Sequence, residues 1–256
     1  MLKTILARIH QKHRTMKYPD EPAQLPELFR GYPVLNAEAC PAGCRLCADA
    51  CPFGALSHET KTLSLDMGKC LFCRECELAC PHGAISFSRD EKLAARNRGD
   101  LIVRSDGERK LTEALEAKMR SLFGRSLKLR EVSAGGCNAC EADVNVLSTV
   151  AWDLGRFGVQ FVASPRHADG ILVTGPVTEN MREALLKTYK AVPAPKIVIA
   201  SGACAINGGP FIGSPEVHDG VDGLLPVDLY IPGCPPHPFT ILDGLLRLLG
   251  RIEQRG

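Results

Sequence analysis

Twelve cysteines punctuate this 256-residue chain, and six of them fall into two runs with one spacing. Cys44, Cys47 and Cys51, followed by Pro52, match Cys73, Cys76 and Cys80, followed by Pro81, at a constant offset of 29 residues. The segments CRLCADACPFGALS (44–57) and CRECELACPHGAIS (73–86) are therefore two copies of one small unit set back to back. Cys40 stands ahead of the first copy and Cys70 ahead of the second. The other four, Cys137, Cys140, Cys204 and Cys234, are scattered through SAGGCNACEAD, SGACAINGGPF and PGCPPHP. No stretch approaches the ~20 apolar residues needed to cross a bilayer, and the N-terminus has no continuous apolar core of a secretory signal. A reducing compartment is the expectation that follows, and there clustered thiols serve as metal ligands in preference to disulfides.

Two Cys-x₂-Cys-x₃-Cys-Pro runs are the pattern by which bacterial ferredoxins hold two [4Fe–4S] clusters. Three closely spaced thiolates cap three irons of one cube, and the cysteine before proline reaches the neighbouring cube. Ligation is thus expected to cross between copies: Cys40, Cys44, Cys47 and Cys80 on one cluster, Cys51, Cys70, Cys73 and Cys76 on the other. Zinc ribbons also use Cys-x₂-Cys pairs, but a zinc site has no use for the further cysteine before proline in both copies. The copies differ at one point. Cys40-x₃-Cys44 carries one residue more than Cys70-x₂-Cys73, so the loop Pro41, Ala42, Gly43 must absorb an insertion, which Gly43 makes feasible. If the loop cannot do so, Cys40 is not a ligand and its cluster is a three-iron or labile one.

Elements must bring the other four cysteines together. From 127 onward, strand-like runs (LKLREV, VQFVA, GILVT, KIVIA, DLYIP) alternate with helices expected near 141–156, 179–191 and 238–249, the signature of a parallel sheet covered on both faces. Each cysteine group follows one of these strands. Loops at the carboxyl ends of an open parallel sheet share one crevice, so Cys137, Cys140, Cys204 and Cys234 are expected to hold a third [4Fe–4S] cluster. Gly135, Gly136, Gly202, Gly208, Gly209 and Gly233 flank them and let backbone N–H groups approach the cluster sulfurs. The fold expected is an α+β two-cluster ferredoxin domain followed by an α/β, flavodoxin-like parallel-sheet domain. Its segments are 1–35 (amphipathic helix and extended lead-in), 36–90 (ferredoxin-like), 91–126 (linker, with a helix over 111–123 stopped by Gly124) and 127–256 (α/β).

The first 17 residues carry Lys3, Arg8, Lys12, Arg14 and Lys17 and no acid, with Leu2, Ile5, Leu6 and Ile9 at helical spacing. Such a basic amphipathic helix packs on a partner or on its own domain, lies on an anionic membrane, or serves as a mitochondrial transit peptide. The formal net charge of +2 gives no reason to expect nucleic acid. Three thiolate-bound cubes at about −2 each would take it to about −4. Glu141 is expected to be a solvated or helix-start carboxylate, and His237 a satisfied loop histidine without a chemical role. No Walker A motif, no Gly-x-Gly-x-x-Gly after a strand and no His-Glu-x-x-His occurs, so no catalytic residue is assigned to this chain.

GGCNACEAD, TGPV, ASGACAINGGPF and YIPGCPPHP resemble the small subunit of membrane-bound, energy-converting (group 4) nickel–iron hydrogenases and the homologous cluster-bearing subunit of respiratory complex I. The stretch with FRGYPVLNAEAC and the repeats is similar to the two-cluster subunit of formate hydrogenlyase. The resemblance covers about 20–90 and 127–250, as if two usually separate subunits were fused. It implies a subunit of an oxidoreductase complex that relays electrons through three [4Fe–4S] clusters. Its implied partners are a hydrogenase-type large subunit, membrane subunits, and an electron donor or acceptor protein. Its implied location is the cytoplasmic side, peripheral on the inner membrane; whether the N-terminal helix touches lipid stays open among its three readings. Cys137-x₂-Cys140 leans to the hydrogenase branch, since complex I proteins have adjacent cysteines there, and His237 stands where they commonly carry Arg. The other reading is the equivalent relay of a complex I-like, ion-translocating oxidoreductase without nickel, reducing quinone or another acceptor. A free-standing ferredoxin with an accessory α/β domain is a further one.

Overall fold

Buried apolar residues alternate where a strand covers one core, as in Thr62–Asp66, whereas Gly170–Thr174 and Ile197–Ser201 are buried at every residue. The computed structural model describes residues 2–12, 14–41, 43–59, 62–123 and 126–252. In the first half the elements are α1 (Leu2–Gln11), β1 (Pro33–Leu35), α2 (Leu46–Asp49), β2 (Leu56–Glu59), β3 (Thr62–Asp66), α3 (Glu75–Leu78), β4 (Ile85–Phe87), β5 (Ile102–Arg104) and α4 (Ala117–Phe123). In the second half they are β6 (Leu127–Ser133), α5 (Ala139–Val146), β7 (Val159–Phe161), β8 (Gly170–Thr174), α6 (Glu179–Ala191), β9 (Ile197–Ser201), α7 (Ala203–Asn207), β10 (Leu229–Ile231) and α8 (Pro238–Leu248).

The ferredoxin-like part pairs β1 with β4 and lays β2, β3 and β5 side by side, all antiparallel. Thus β5 completes a sheet from within the stretch 91–126 that the sequence suggests is a linker. The α/β part has five parallel strands in the order β7-β6-β8-β9-β10. Numbered from β6, that is the flavodoxin-like order 2-1-3-4-5, whose switch point lies between β6 and β8. Ala95 joins the far edge: its N–H donates to Tyr230 O at 3.0 Å and its carbonyl accepts from Tyr230 N–H at 2.8 Å.

Two apolar cores result. One runs from Leu63, Leu65 and Leu101 into the face of the large sheet formed by Val132, Ile171, Val173 and Val198. The other fills the opposite face, where Leu129, Leu172, Ile199 and Ile231 meet Leu242 and Leu245 of α8. The lead-in is tied to this second half: Met16 N–H donates to Ala151 O, and the buried Tyr18 hydroxyl donates to Asp243, itself paired with Arg247 one turn away.

Two helices differ in extent from the sequence pattern, and one reading of a third is excluded. The helix expected over 111–123 begins only at Ala117, because Thr112 Oγ1 donates to Ala94 O and Leu115 N–H donates to Leu248 O, which turns that stretch to tertiary bonding. Its expected stop, Gly124, lies outside the described residues. The helix expected near 141–156 ends at Val146. The chain then turns, Leu154 N–H returning to Leu147 O and Asp153 adopting φ +46°. Finally, α1 forms but none of its residues is buried, so it does not pack on its own domain. Replacing the fully buried Leu172 by Ala is expected to destabilise the protein by about 2–5 kcal/mol, measured by denaturant unfolding of cluster-loaded protein.

Candidate metal centres

The two repeat copies fold alike. Cys47 lies in α2 and Cys76 in α3, each a single helical turn with that thiol inward. Cys51 Sγ accepts from Ala55 N–H and Cys80 Sγ from Ala84 N–H, both at 3.3 Å and again 29 residues apart. Each bond aims a backbone donor at a sulfur, the outer-shell contact that cluster thiolates use. In the inserted loop Gly43 has φ +75°, and Phe72, its counterpart at the same offset, has φ +55°. Both copies therefore reverse the chain with a left-handed residue just before Cys44 or Cys73. Ala42 lies outside the described residues.

Mutual influence sorts the first eight thiols. Burial, then the neighbouring Cys44 and Cys80, push up Cys40; burial, then Cys80 and Cys40, push up Cys47. Burial pushes Cys70 up to about 12 and Cys76 up to about 11, with Cys51 and Cys73 adding to both. Cys40, Cys44, Cys47 and Cys80 are thus brought into one set, and Cys51, Cys70, Cys73 and Cys76 into another. All four cysteines of the second set line one small pocket together with Phe53, Leu65 and Phe87.

The remaining four converge at the carboxyl edge of the large sheet. Cys137 and Cys140 follow β6, Cys204 lies in α7 after β9, and Cys234 follows β10. Burial, then Cys234 and Cys137, push Cys204 up to about 11; burial, then Cys204, raises Cys140 further. A Cβ on Gly202, at φ +92°, would lie 2.6 Å from Cys140 Sγ, and one on Gly209 would lie 2.8 Å from Cys204 Sγ. Only glycine leaves the sulfurs their room there. Among the described residues no three His, Cys, Asp or Glu side chains gather around one ion position. A cube makes no such demand, because each thiolate meets a different iron. The residues present therefore fit cubes: four sulfurs per set, with backbone N–H groups donating to Cys51, Cys70 and Cys80.

Two acids depart from the sequence pattern. Glu141 does sit in the first turn of α5, but it is buried, not solvated. Burial alone would raise its pKa, yet hydrogen bonds from the Ser133 hydroxyl and from Thr174 Oγ1 at 2.7 Å hold it below the ordinary carboxylate value. Glu131 belongs to none of the sequence motifs. Burial, then the charge of Glu141, pushes it up to about 7, and its Oε1 is buried without a partner. Its sequence signal is an acid in register with the buried Leu127 and Leu129. His237 caps α8: its Nδ1 accepts from Phe239 N–H at 3.2 Å and its ring stacks on Phe239. Cys73 and Cys234 line a common cleft of about 370 Å³ with Arg30, Phe72 and His237.

Residues 137–248 match the family described as NADH ubiquinone oxidoreductase, 20 Kd subunit, and residues 39–84 match the 4Fe-4S dicluster domain. The probable membrane-bound hydrogenase subunit mbhJ of Pyrococcus furiosus is 43% identical over 150 residues, covering 59% of this chain and 90% of that protein. This chain belongs to the NADH ubiquinone oxidoreductase 20 Kd subunit family. Formate hydrogenlyase subunit 7 of Escherichia coli is 42% identical over 142 residues, 56% of each chain. An NADH-quinone oxidoreductase subunit of Heliobacterium modesticaldum is 42% identical over 121 residues, 47% of this chain and 69% of that one. The 20 Kd subunit match spans all four cysteines at the large sheet's edge, and the dicluster match spans the other eight. The protein is an iron–sulfur protein of the [4Fe–4S] type.

Two measurements test these sites. Cys51→Ser is expected to disturb the cluster assigned to Cys70, Cys73 and Cys76, and Cys80→Ser the one assigned to Cys40, Cys44 and Cys47. Electron paramagnetic resonance of the reduced variants reads this, and loss confined to the cluster of the same repeat copy would contradict it. Glu131 has a raised pKa when folded, so its contribution favours folding below about pH 4.5 and fades as pH rises through about 7. Glu131→Gln is accordingly expected to raise stability at pH 8 and change it little at pH 4, followed by chemical unfolding at both pH values.

Proposed function

We propose that this chain is an electron-transfer subunit carrying three [4Fe–4S] clusters, which relays electrons to or from a nickel–iron hydrogenase large subunit in a membrane-associated complex of the formate hydrogenlyase kind. The observation that carries the reading is the gathering of twelve cysteines into three sets of four, two of which border one cleft. When bound, the cubes supply one-electron chemistry; the chain supplies position, insulation and charge. Phe53, Leu65 and Phe87 give the set of Cys51, Cys70, Cys73 and Cys76 an apolar lining. At the sheet edge Cys137 and Cys234 are exposed, and Phe211 and Ile212, just beyond the Cys204 loop, are each 46% exposed. That open apolar rim is the face offered to the large subunit.

The Cys137-x₂-Cys140 spacing and the likeness to two hydrogenase-named subunits support the nickel–iron assignment. The equal likeness to a protein named for NADH-quinone oxidoreductase supports the second reading, the same relay feeding quinone or another acceptor without nickel. Association with the cytoplasmic face of the inner membrane is supported by α1, whose Leu2, Ile5, Leu6 and Ile9 are 56–73% exposed beside Lys3 and Arg8. Among the described residues no helix is long and apolar enough to cross a membrane.

Affinity purification of the tagged chain from membranes, with iron, sulfide and nickel analysis, separates the readings. About twelve irons per chain are expected, three cubes of four, together with nickel in a co-purifying large subunit. Iron at that level with a nickel-free large subunit selects the second reading, and a colourless or zinc-filled protein overturns both.

A further inference from the structure

One cleft is lined both by Cys73 of the ferredoxin-like part and by Cys234 of the large sheet's edge, and Arg30 lies in the same lining. Arg30 Nη1 donates to Phe72 O at 3.1 Å. Its Nε is buried with no hydrogen-bond partner, and among the described residues no carboxylate is within ion-pair distance of it. Asp143 lines the same cleft, but burial alone raises its pKa, with no contribution from Arg30. Much of the remaining wall is apolar: Leu28, Phe29, Leu71 and Leu93. A guanidinium held in such a wall without a counter-charge is costly. The cost is offset where negative charge sits on either side of it.

Thiolate-bound cubes are that charge, about −2 each when oxidised and about −3 once an electron is added. We propose that Arg30 is a positioning charge that raises the reduction potentials of the two clusters flanking the cleft, those on Cys51, Cys70, Cys73 and Cys76 and on Cys137, Cys140, Cys204 and Cys234, while leaving the cluster on Cys40, Cys44 and Cys47 with Cys80 unmoved. The inference rests on the three-cluster reading above. Its sign follows from electrostatics: a fixed cation favours the more negative, reduced form of each neighbour. Both neighbours rise together, so the step between them keeps its driving force. What changes is their standing relative to the outer cluster, from which the electron is drawn inward. The order of the relay follows too, with the Cys73 set in the middle and the Cys40 set outermost.

Anaerobic redox titration of the cluster-loaded full chain, read by electron paramagnetic resonance, tests this with wild type, Arg30→Gln and Arg30→Lys. Arg30→Gln is expected to lower both flanking potentials and shift the electron toward the outer cluster on the order of tenfold, about 59 mV for one electron. Arg30→Lys keeps the charge and is expected to keep both potentials near wild type. Equal shifts at all three clusters, no shift at all, or a fall in Arg30→Lys as large as in Arg30→Gln would overturn the role of Arg30. Iron and sulfide at the wild-type level in each variant show that the fold and loading are kept. A wild-type protein without three [4Fe–4S] signals would instead fail the cluster reading itself.

Discussion

Crowding four thiols into a space with little water is the constraint that governs this molecule. Burial first, and then neighbouring thiols, favour the protonated form of Cys70, Cys76, Cys140 and Cys204. An iron–sulfur core reverses the balance, because its positive irons favour the ionised thiols and displace their protons. Much of the free energy that orders the cysteine loops therefore belongs to loading, and the polypeptide has only to hold the sulfurs near their places beforehand. It does so with few residues: a left-handed Gly43 or Phe72, single-turn helices at Cys47 and Cys76, and the N–H groups of Ala55 and Ala84.

The two halves meet the constraint differently. In the ferredoxin-like half a local repeat suffices, since partner sulfurs are at most 40 residues apart (80 minus 40). In the α/β half the sulfurs are as much as 97 residues apart (234 minus 137) and the sheet supplies the convergence. Parallel strands end together, and the switch point between β6 and β8 opens a crevice that the loop with Cys137 and Cys140 enters. Gly202 and Gly209 then allow sulfur to approach backbone more closely than any side chain would permit.

This difference explains what the sequence discloses. Cysteine spacing and its repeat are enough to group eight residues, and strand–helix alternation is enough to bring the other four to one edge. Helix α6 is legible in its pattern at its full length, 179–191. Long-range bonds are not. Thr112 and Leu115 have good helical neighbours, yet they bond Ala94 and Leu248. Glu141 has the sequence surroundings of a surface acid because the hydroxyls that bury it, Ser133 and Thr174, lie on two different strands. Arg30 sits in a proline-rich approach, and nothing local marks a cation that shares a cleft with cysteines 43 and 204 positions away (73 and 234 minus 30).

The reciprocal backbone bonds of Ala95 and Tyr230 add one rung of the first half to the edge of the large sheet. Tunnelling falls off exponentially with separation, so a joint that breathed by an ångström or two would make each hop erratic. A rung shared through the main chain resists such breathing, and it survives any exchange of side chains around it. Where two separate polypeptides must find and keep their spacing by surface fit, this one has it stitched into its own ladder, at a fixed ratio of one to one.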